Sequence, residues 1–213
     1  MVYRGYRELA AHECRGRDYA IETRPGHTGL LVMAPHGGCI EPGTDILASA
    51  LAATRHAYYG FVGLKPRGNR SLHLPSHRFD EPLADSLAAR ADWILTLHGS
   101  ARRDASILVG GRDRIQRALF SRALKSAGFR ARVTREHGLA GRHPTNLCNR
   151  GRLGAGVQLE IARDLRERLH PAPDPILLQR LKSALAPILD AIPPAGRHNE
   201  PAVNDMFATP PKR

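Results

Sequence analysis

A chain of 213 residues and 23.4 kDa fits one domain, since a single core serves on the order of 100 to 250 residues before a chain divides. With 42% hydrophobic and 24% charged residues it can both fill an interior and cover a surface, which excludes a wholly disordered chain. The net charge of +12 favours anionic partners of any kind, yet the basic residues, all but four of them arginine, are scattered from Arg4 to Arg213 with no basic tract, and aromatics at 5% supply few stacking surfaces for nucleic acid.

Strand-length apolar stretches alternate with segments of helical period along the chain. Residues 19–23 and 30–34 read as strands. Thr44 or Asp45 then caps a helix through Arg55, with Ile46, Leu47, Ala50, Leu51 and Thr54 on one face. A strand over 58–64, a short helix over 83–91, and strands over 93–97 and 106–109 follow. The spacing of Ile115, Leu119, Ala123 and Leu124 predicts a helix over 112–127 that Gly128 stops. Strands over 130–134 and 157–161 lead to a last helix over 175–192, kinked at Pro187. The pattern predicts an α/β fold with a single domain over 1–192, a twisted mixed sheet flanked by helices, and a loose tail over 193–213.

No apolar run approaches the roughly 18 residues of a membrane-spanning helix, so no membrane partner is expected. The first 17 residues lack the apolar stretch of a secretory signal, and a cytoplasmic protein is expected. Cys14, Cys39 and Cys148 have no metal-knuckle or redox spacing and are expected to be reduced and mostly buried.

Three long connections, 35–44, 65–81 and 135–156, hold the Gly, Pro, Asn and His that packed elements avoid, and connections of this length carry function. Two apolar strands end in His-Gly, at His36-Gly37 and His98-Gly99, and Glu41 follows the first of them. Open α/β sheets bind ligands beyond the carboxyl ends of their strands. His36, Glu41 and His98 delivered there form a three-ligand zinc set that keeps a fourth position free for water. Glu160 interrupts the apolar strand Val157-Gln158-Leu159-Glu160-Ile161, with Gln158 and Glu160 on one face, and a carboxylate so placed has to be paired or used. Simpler roles exist for each: Glu41 is also placed to favour the start of the following helix, and Glu160 to pair with one of the many arginines.

The segments His36-Gly37-Gly38-Cys39-Ile40-Glu41-Pro42-Gly43-Thr44, Leu72-His73-Leu74-Pro75-Ser76 running on to Phe79-Asp80-Glu81-Pro82, Leu97-His98-Gly99, Val109-Gly110-Gly111, Asn146-Leu147-Cys148-Asn149-Arg150-Gly151 and Gly156 to Ile161 together resemble the phage-type poly-gamma-glutamate hydrolases. Pro75 stands where that family usually has a small polar residue. The resemblance covers roughly 19–189 and implies a zinc carboxypeptidase-like fold with one Zn2+ per chain held by His36, Glu41 and His98, and Glu160 as general base. It also implies an Asn-Arg pair that binds the substrate carboxylate. Asn69-Arg70 holds that place in chain order, and Asn149-Arg150 fits the family's own motif; both remain open.

The resemblance thus implies a zinc-dependent hydrolase of gamma-glutamyl amide bonds, with an anionic gamma-glutamyl polymer or peptide as substrate. Two alternatives stand beside it: a zinc amidohydrolase of another acidic N-acyl amino acid or cell-wall peptide, and a non-catalytic, phage-related basic protein that binds nucleic acid. Glu160 separates the last from the others, because a nucleic-acid binder has no use for an acidic residue on a buried strand beside two strand-end histidines.

Overall fold

The computed structural model describes residues 3–192; the expected loose tail over 193–213 lies outside the described residues. A seven-stranded mixed sheet runs through the molecule. Its strands are β1 (Tyr19–Arg24), β2 (Leu30–Gly38), β3 (Ala57–Gly63), β4 (Trp93–Gly99), β5 (Ser106–Gly111), β6 (Arg130–Val133) and β7 (Val157–Ile161), in the spatial order β1-β3-β2-β4-β7-β5-β6. The central strands β3, β2, β4 and β7 are mutually parallel, β1 is antiparallel to β3, and β5 is antiparallel to β7 and parallel to β6. All seven expected strands are present.

Strand alternation divides the interior in two. Leu30, Val32 and Ala34 of β2, Trp93, Leu95 and Leu97 of β4, and Val157, Leu159 and Ile161 of β7 face one core, closed by α2 (Thr44–Ala52), α4 (Arg114–Ser126) and α6 (Pro175–Asp190). Leu31, Met33 and Ile94 face the other, closed by Leu9 of α1 (Tyr6–His12), by Ala84, Leu87 and Ala88 of α3 (Pro82–Arg90), and by Leu72, Leu74 and Phe79 of the long connection after β3. Thr96, His98, Gln158 and Glu160 occupy this second face at the carboxyl ends of β4 and β7, so the polar residues expected on one side of β7 do share a side. A short helix α5 (Arg163–Glu167) follows β7.

Several local expectations need correction. The buried face of α4 consists of Arg117, Phe120, Ser121 and Leu124, while Ile115 is 73% exposed and Leu119 and Ala123 are only half-buried. The expected stripe counted apolar side chains; the helix instead turns Phe120 and Leu124 inward and accepts two polar residues beside them. Helix α2 begins at Thr44 with Gly43 as its cap and stops at Ala52, because Ala53 adopts a φ of 48° that no α-helix continues. Its buried apolar residues are Leu47, Ala48, Leu51 and Ala52, with Ile46 and Ala50 half-buried. Cys14 and Cys39 are exposed and only Cys148 is buried, where burial pushes its thiol up to about 12.

The start of α3 shows how a connection is tied to the sheet. Glu81 caps the helix, accepting from the backbone N–H groups of Leu83 at 3.1 Å and Ala84 at 2.8 Å, with Pro82 in the first turn. The same buried carboxylate accepts the Tyr59 hydroxyl from β3 at 2.8 Å. Glu81→Ala therefore removes a cap and orphans a buried hydroxyl, an expected loss of about 2 to 4 kcal/mol. Chemical denaturation of Glu81→Ala, Tyr59→Phe and the double variant checks this: the double variant should be less destabilised than the sum of the singles, and strict additivity would refute the shared role.

Candidate metal centre

Strands β2 and β4 pair in parallel from Leu30↔Trp93 to Met33↔Thr96 and bring their His-Gly ends to one edge of the sheet. The β2 ladder to β3 shifts register between Ala34 and Gly37, so His36 sits in an irregular stretch that re-aims its side chain toward β4. Gly38, at φ 60°, then turns the chain where a Cβ would meet the Gly63 carbonyl at 2.5 Å. The turn carries Glu41 back over the two histidines.

Three donor atoms converge there. His36 Nδ1 lies 3.2 Å from His98 Nδ1 and 3.4 Å from Glu41 Oε2, and His98 Nδ1 lies 3.7 Å from the same oxygen. Each imidazole is held from behind. His36 Nε2 lies 2.7 Å from the Leu74 carbonyl, which can only accept; Nε2 therefore carries a hydrogen, and Nδ1 is the atom turned toward the cluster. His98 Nε2 meets the Ser76 hydroxyl at 3.1 Å. The Gly99 N–H donates to Glu41 Oε2 at 2.8 Å. Two imidazole nitrogens and a carboxylate oxygen, all within 4.8 Å of one another with their outer atoms already hydrogen-bonded, fit a cation with borderline-soft nitrogen and oxygen preferences such as zinc.

Charge supports the same reading. Burial alone would raise the Glu41 carboxyl, but the His36 charge and hydrogen bonds from His36, His73 and His98 outweigh it and hold the group well below the usual carboxylate range. The site thus demands positive charge against Glu41, from a proton or from a metal ion. Glu160 behaves in the opposite way: burial, reinforced by the negative charge of Glu41, pushes it well above its ordinary value. Glu160 pairs in register with His98 and so projects beside it on the same face. Gln158 Nε2 donates to Glu160 Oε1 at 2.7 Å, and Gln158 Oε1 in turn accepts from Asn146 Nδ2 at 3.0 Å. Oε2 of Glu160 has no protein partner among the described residues.

Of the four expected carboxylate binders, three are engaged with the protein. Asn69 is buried and closes a loop on itself, accepting the Lys65 N–H at 3.1 Å and donating to the Lys65 carbonyl at 2.6 Å. Asn149 donates to the carbonyls of Gly141 and His143 and accepts from the N–H groups of Arg112 and Gly156. Arg150 staples three segments, donating to the carbonyls of Phe79, Thr145 and Ser76 and to Asp85 Oδ1 at 2.6 Å. Arg70 is exposed and makes no side-chain hydrogen bond among the described residues. It lies three residues before His73.

Two residues of the centre escaped the sequence reading as functional groups. His73 stacks on His36 with ring centroids 3.8 Å apart and places Nε2 3.5 Å from Glu41 Oε1. Its signal was present, since it falls within the quoted Leu72-His73-Leu74 segment. Arg166 is buried in α5 and donates to the carbonyls of Ile161, Pro42 and Ser100, joining the ends of β7 and β4 to the Glu41 turn. Gly99 is required beside it, because a Cβ there would lie 2.4 Å from the guanidinium carbon. Nothing in an arginine-rich chain marks this one arginine in advance.

Comparison with known proteins gives the chain its relatives. A family model described as poly-gamma-glutamate hydrolase matches residues 3–176. The chain is 37% identical over 169 residues to UPF0714 protein YndL of Bacillus subtilis (strain 168), covering 79% of this chain and 66% of YndL. It is 36% identical over 168 residues to UPF0714 protein YmaC of the same organism, covering 78% of this chain and 71% of YmaC. Among solved structures, a bacteriophage poly-gamma-glutamate hydrolase superimposes with a TM-score of 0.80 at 29% identity, covering 88% of this chain and 98% of that one. A zinc-free apo structure of YndL superimposes with a TM-score of 0.81 at 31% identity, covering 89% and 97%. In sequence the chain spans about two-thirds of YndL's full length. The chain belongs to the poly-gamma-glutamate hydrolase family.

Proposed function

We propose that this protein is a zinc-dependent hydrolase that cleaves gamma-glutamyl amide bonds in an anionic polymer or peptide. The observation that carries the reading is the convergence of His36 Nδ1, His98 Nδ1 and Glu41 Oε2 directly beside the buried, half-satisfied carboxyl of Glu160. A zinc held by those three side chains supplies Lewis acidity toward the scissile carbonyl and lowers the pKa of a water toward about 7.

The chain's own groups do the rest. Glu160 takes the proton of the attacking water on Oε2 while Gln158 fixes Oε1, and then delivers that proton to the departing amine nitrogen. Its raised affinity for protons suits the first half of this task, since a carboxyl that titrated low would be a poor acceptor for the proton of water. Arg166 and the Gly99 N–H keep the Glu41 turn in place, and the stacked His73 shields one side of His36. Arg70, exposed three residues before His73 and without an acceptor among the described residues, is the side chain suited to pair with a substrate α-carboxylate in a two-pronged contact. Asn149 and Arg150 then serve as positioning residues that hold the connections carrying Leu74 and Ser76.

Metal analysis of protein purified without added ions should give one zinc per chain, and hydrolysis of gamma-linked glutamyl oligomers should stop with chelator and return with zinc, while alpha-linked oligomers remain intact. His36→Ala should lose both zinc and activity and still fold; full zinc occupancy in that variant would remove His36 from the ligand set. Cleavage of alpha-linked oligomers at an equal rate would overturn the substrate assignment.

In Glu160→Gln, zinc should stay bound and KM should change little while turnover falls by at least about a hundredfold. If Glu160 served only to balance Arg166, the variant would instead melt earlier and keep its turnover per folded molecule.

Arg70→Ala should raise KM for gamma-glutamyl substrates by at least about tenfold with zinc content unchanged, because a charge-assisted pair with the substrate is lost. Arg150→Ala should show the reverse pattern, a lower melting temperature with KM kept in the folded fraction. A Michaelis analysis of both variants beside their melting curves decides between the two Asn-Arg pairs.

A further inference from the structure

A second cluster of charge lies at the other end of β7. Gly111 pairs with Val157, the first residue of that strand, whereas Glu160 lies three residues further along it, about 10 Å away at the rise of a strand. At the Gly111 end opens a cavity of about 560 Å³ whose wall includes Arg112, Arg114, Arg117, Arg135 and Arg142 and no acidic side chain.

Among the described residues none of these five arginines forms an ion pair, although nine other arginines do. The carboxylates next to them in sequence are committed elsewhere. Asp113 accepts the Gln116 N–H at 2.9 Å and the Trp93 indole N–H at 3.1 Å, and Glu136 binds Arg102 and Arg132. Unpaired exposed arginines are common and by themselves mean little. Arg117 is different, because it sits on the inward face of α4 with only 7% of its surface exposed. Its Nε donates to the Asp113 carbonyl at 3.3 Å, and its Nη1 is buried with no partner among the described residues. A buried guanidinium with an unused donor, ringed by four more cations, is a costly arrangement unless a negative group completes it.

We propose that this cavity is a second, non-catalytic anion site that takes a ligand bearing oxyanion groups, either phosphate or clustered carboxylates, through Arg117 and the four surrounding arginines. The planar guanidinium fork matches both groups in a bidentate way, and the volume admits several oxyanions at once. None of the side chains assigned to the metal centre lines this cavity.

The test is thermal melting and isothermal titration at constant ionic strength, with inorganic phosphate and glutarate as probes and chloride as the reference anion. The wild type should show a saturable rise in melting temperature below about 10 mM of at least one probe, with one anion site per chain. The probe that gives the larger rise identifies whether phosphate or carboxylate is the preferred group. The double variant Arg114→Gln, Arg142→Gln alters only exposed side chains and should bind at least about tenfold more weakly. Arg117→Met should lose the response and, in chloride, melt above the wild type because a buried uncompensated charge is gone. His36→Ala, which lacks the metal cluster, should respond like the wild type, so failure of the zinc assignment leaves this result readable. Absence of a saturable response to both probes, or an equal response in the wild type and the double variant, overturns the proposal.

Discussion

The carboxylate of Glu41 is the constraint on which the centre depends. It is carried by a turn, not by a strand, and is brought against two histidines whose strands are fixed by the parallel ladder of β2 and β4. A carboxylate taken out of water is tolerated only where positive charge and hydrogen-bond donors meet it. Here the donors are the Gly99 N–H and the imidazoles, and Arg166 lies beneath with its guanidinium bound to the Pro42 carbonyl of the same turn. The negative charge then acts outward: it adds to the burial that raises the neighbouring Glu160 and gives the centre one carboxyl that stays ionised and one that holds a proton readily. Two acids of one chemical type acquire opposite proton affinities from their surroundings alone.

Precision in such a centre comes from the connections behind it. The stretch between β3 and α3 has little regular structure, yet it delivers the Leu74 carbonyl and the Ser76 hydroxyl to the back of the two imidazoles. That delivery requires the stretch to be immobile, and its anchors are visible: Asn69 closes one end on Lys65, Glu81 ties the other end to Tyr59, and Arg150 reaches across from the later connection to the carbonyls of Ser76 and Phe79. Asn149 organises the connection that carries Arg150 by bonding the backbone of Gly141 and His143. Metal-binding histidines are oriented by the groups that hold their distal nitrogens. The residues that hold those groups are one step further out and matter for the same reason.

The strands and the cluster were legible in the sequence because both depend on short-range patterns. Apolar runs of strand length, several rich in β-branched or aromatic residues, placed all seven strands, and His-Gly at the ends of two of them, with Glu41 after the first, placed the convergent donors. Helix faces were legible only in part. Phe120 and Leu124 settle which side of α4 turns inward, so Arg117 and Ser121 follow them and Ile115 is left outside, a result of tertiary packing that counting apolar residues misses. Helices α1 and α5, of 7 and 5 residues, are too short to carry a readable period. Arg166 was not legible at all, and Asn69, Asn149 and Arg150 were legible as polar candidates but not as anchors, because most of their partners are backbone groups, and a carbonyl has no letter in the sequence.

That last point bears on the composition. Arginine outnumbers lysine heavily, and a surface field that collects anionic substrate would be served by either residue. The interior roles would not. Arg166 satisfies three carbonyls from three separate segments, and Arg150 satisfies three carbonyls and a carboxylate, each with a single rigid fork. A lysine ammonium has three donors on a flexible stem and would lose more entropy for each bond it formed. A fold whose functional connections are long and irregular leaves many carbonyls unpaired by helix or sheet, and arginine is the side chain best able to gather them. Part of the +12 charge is therefore structural, spent inside the loops that position the centre, and only the remainder acts on ligands from the surface.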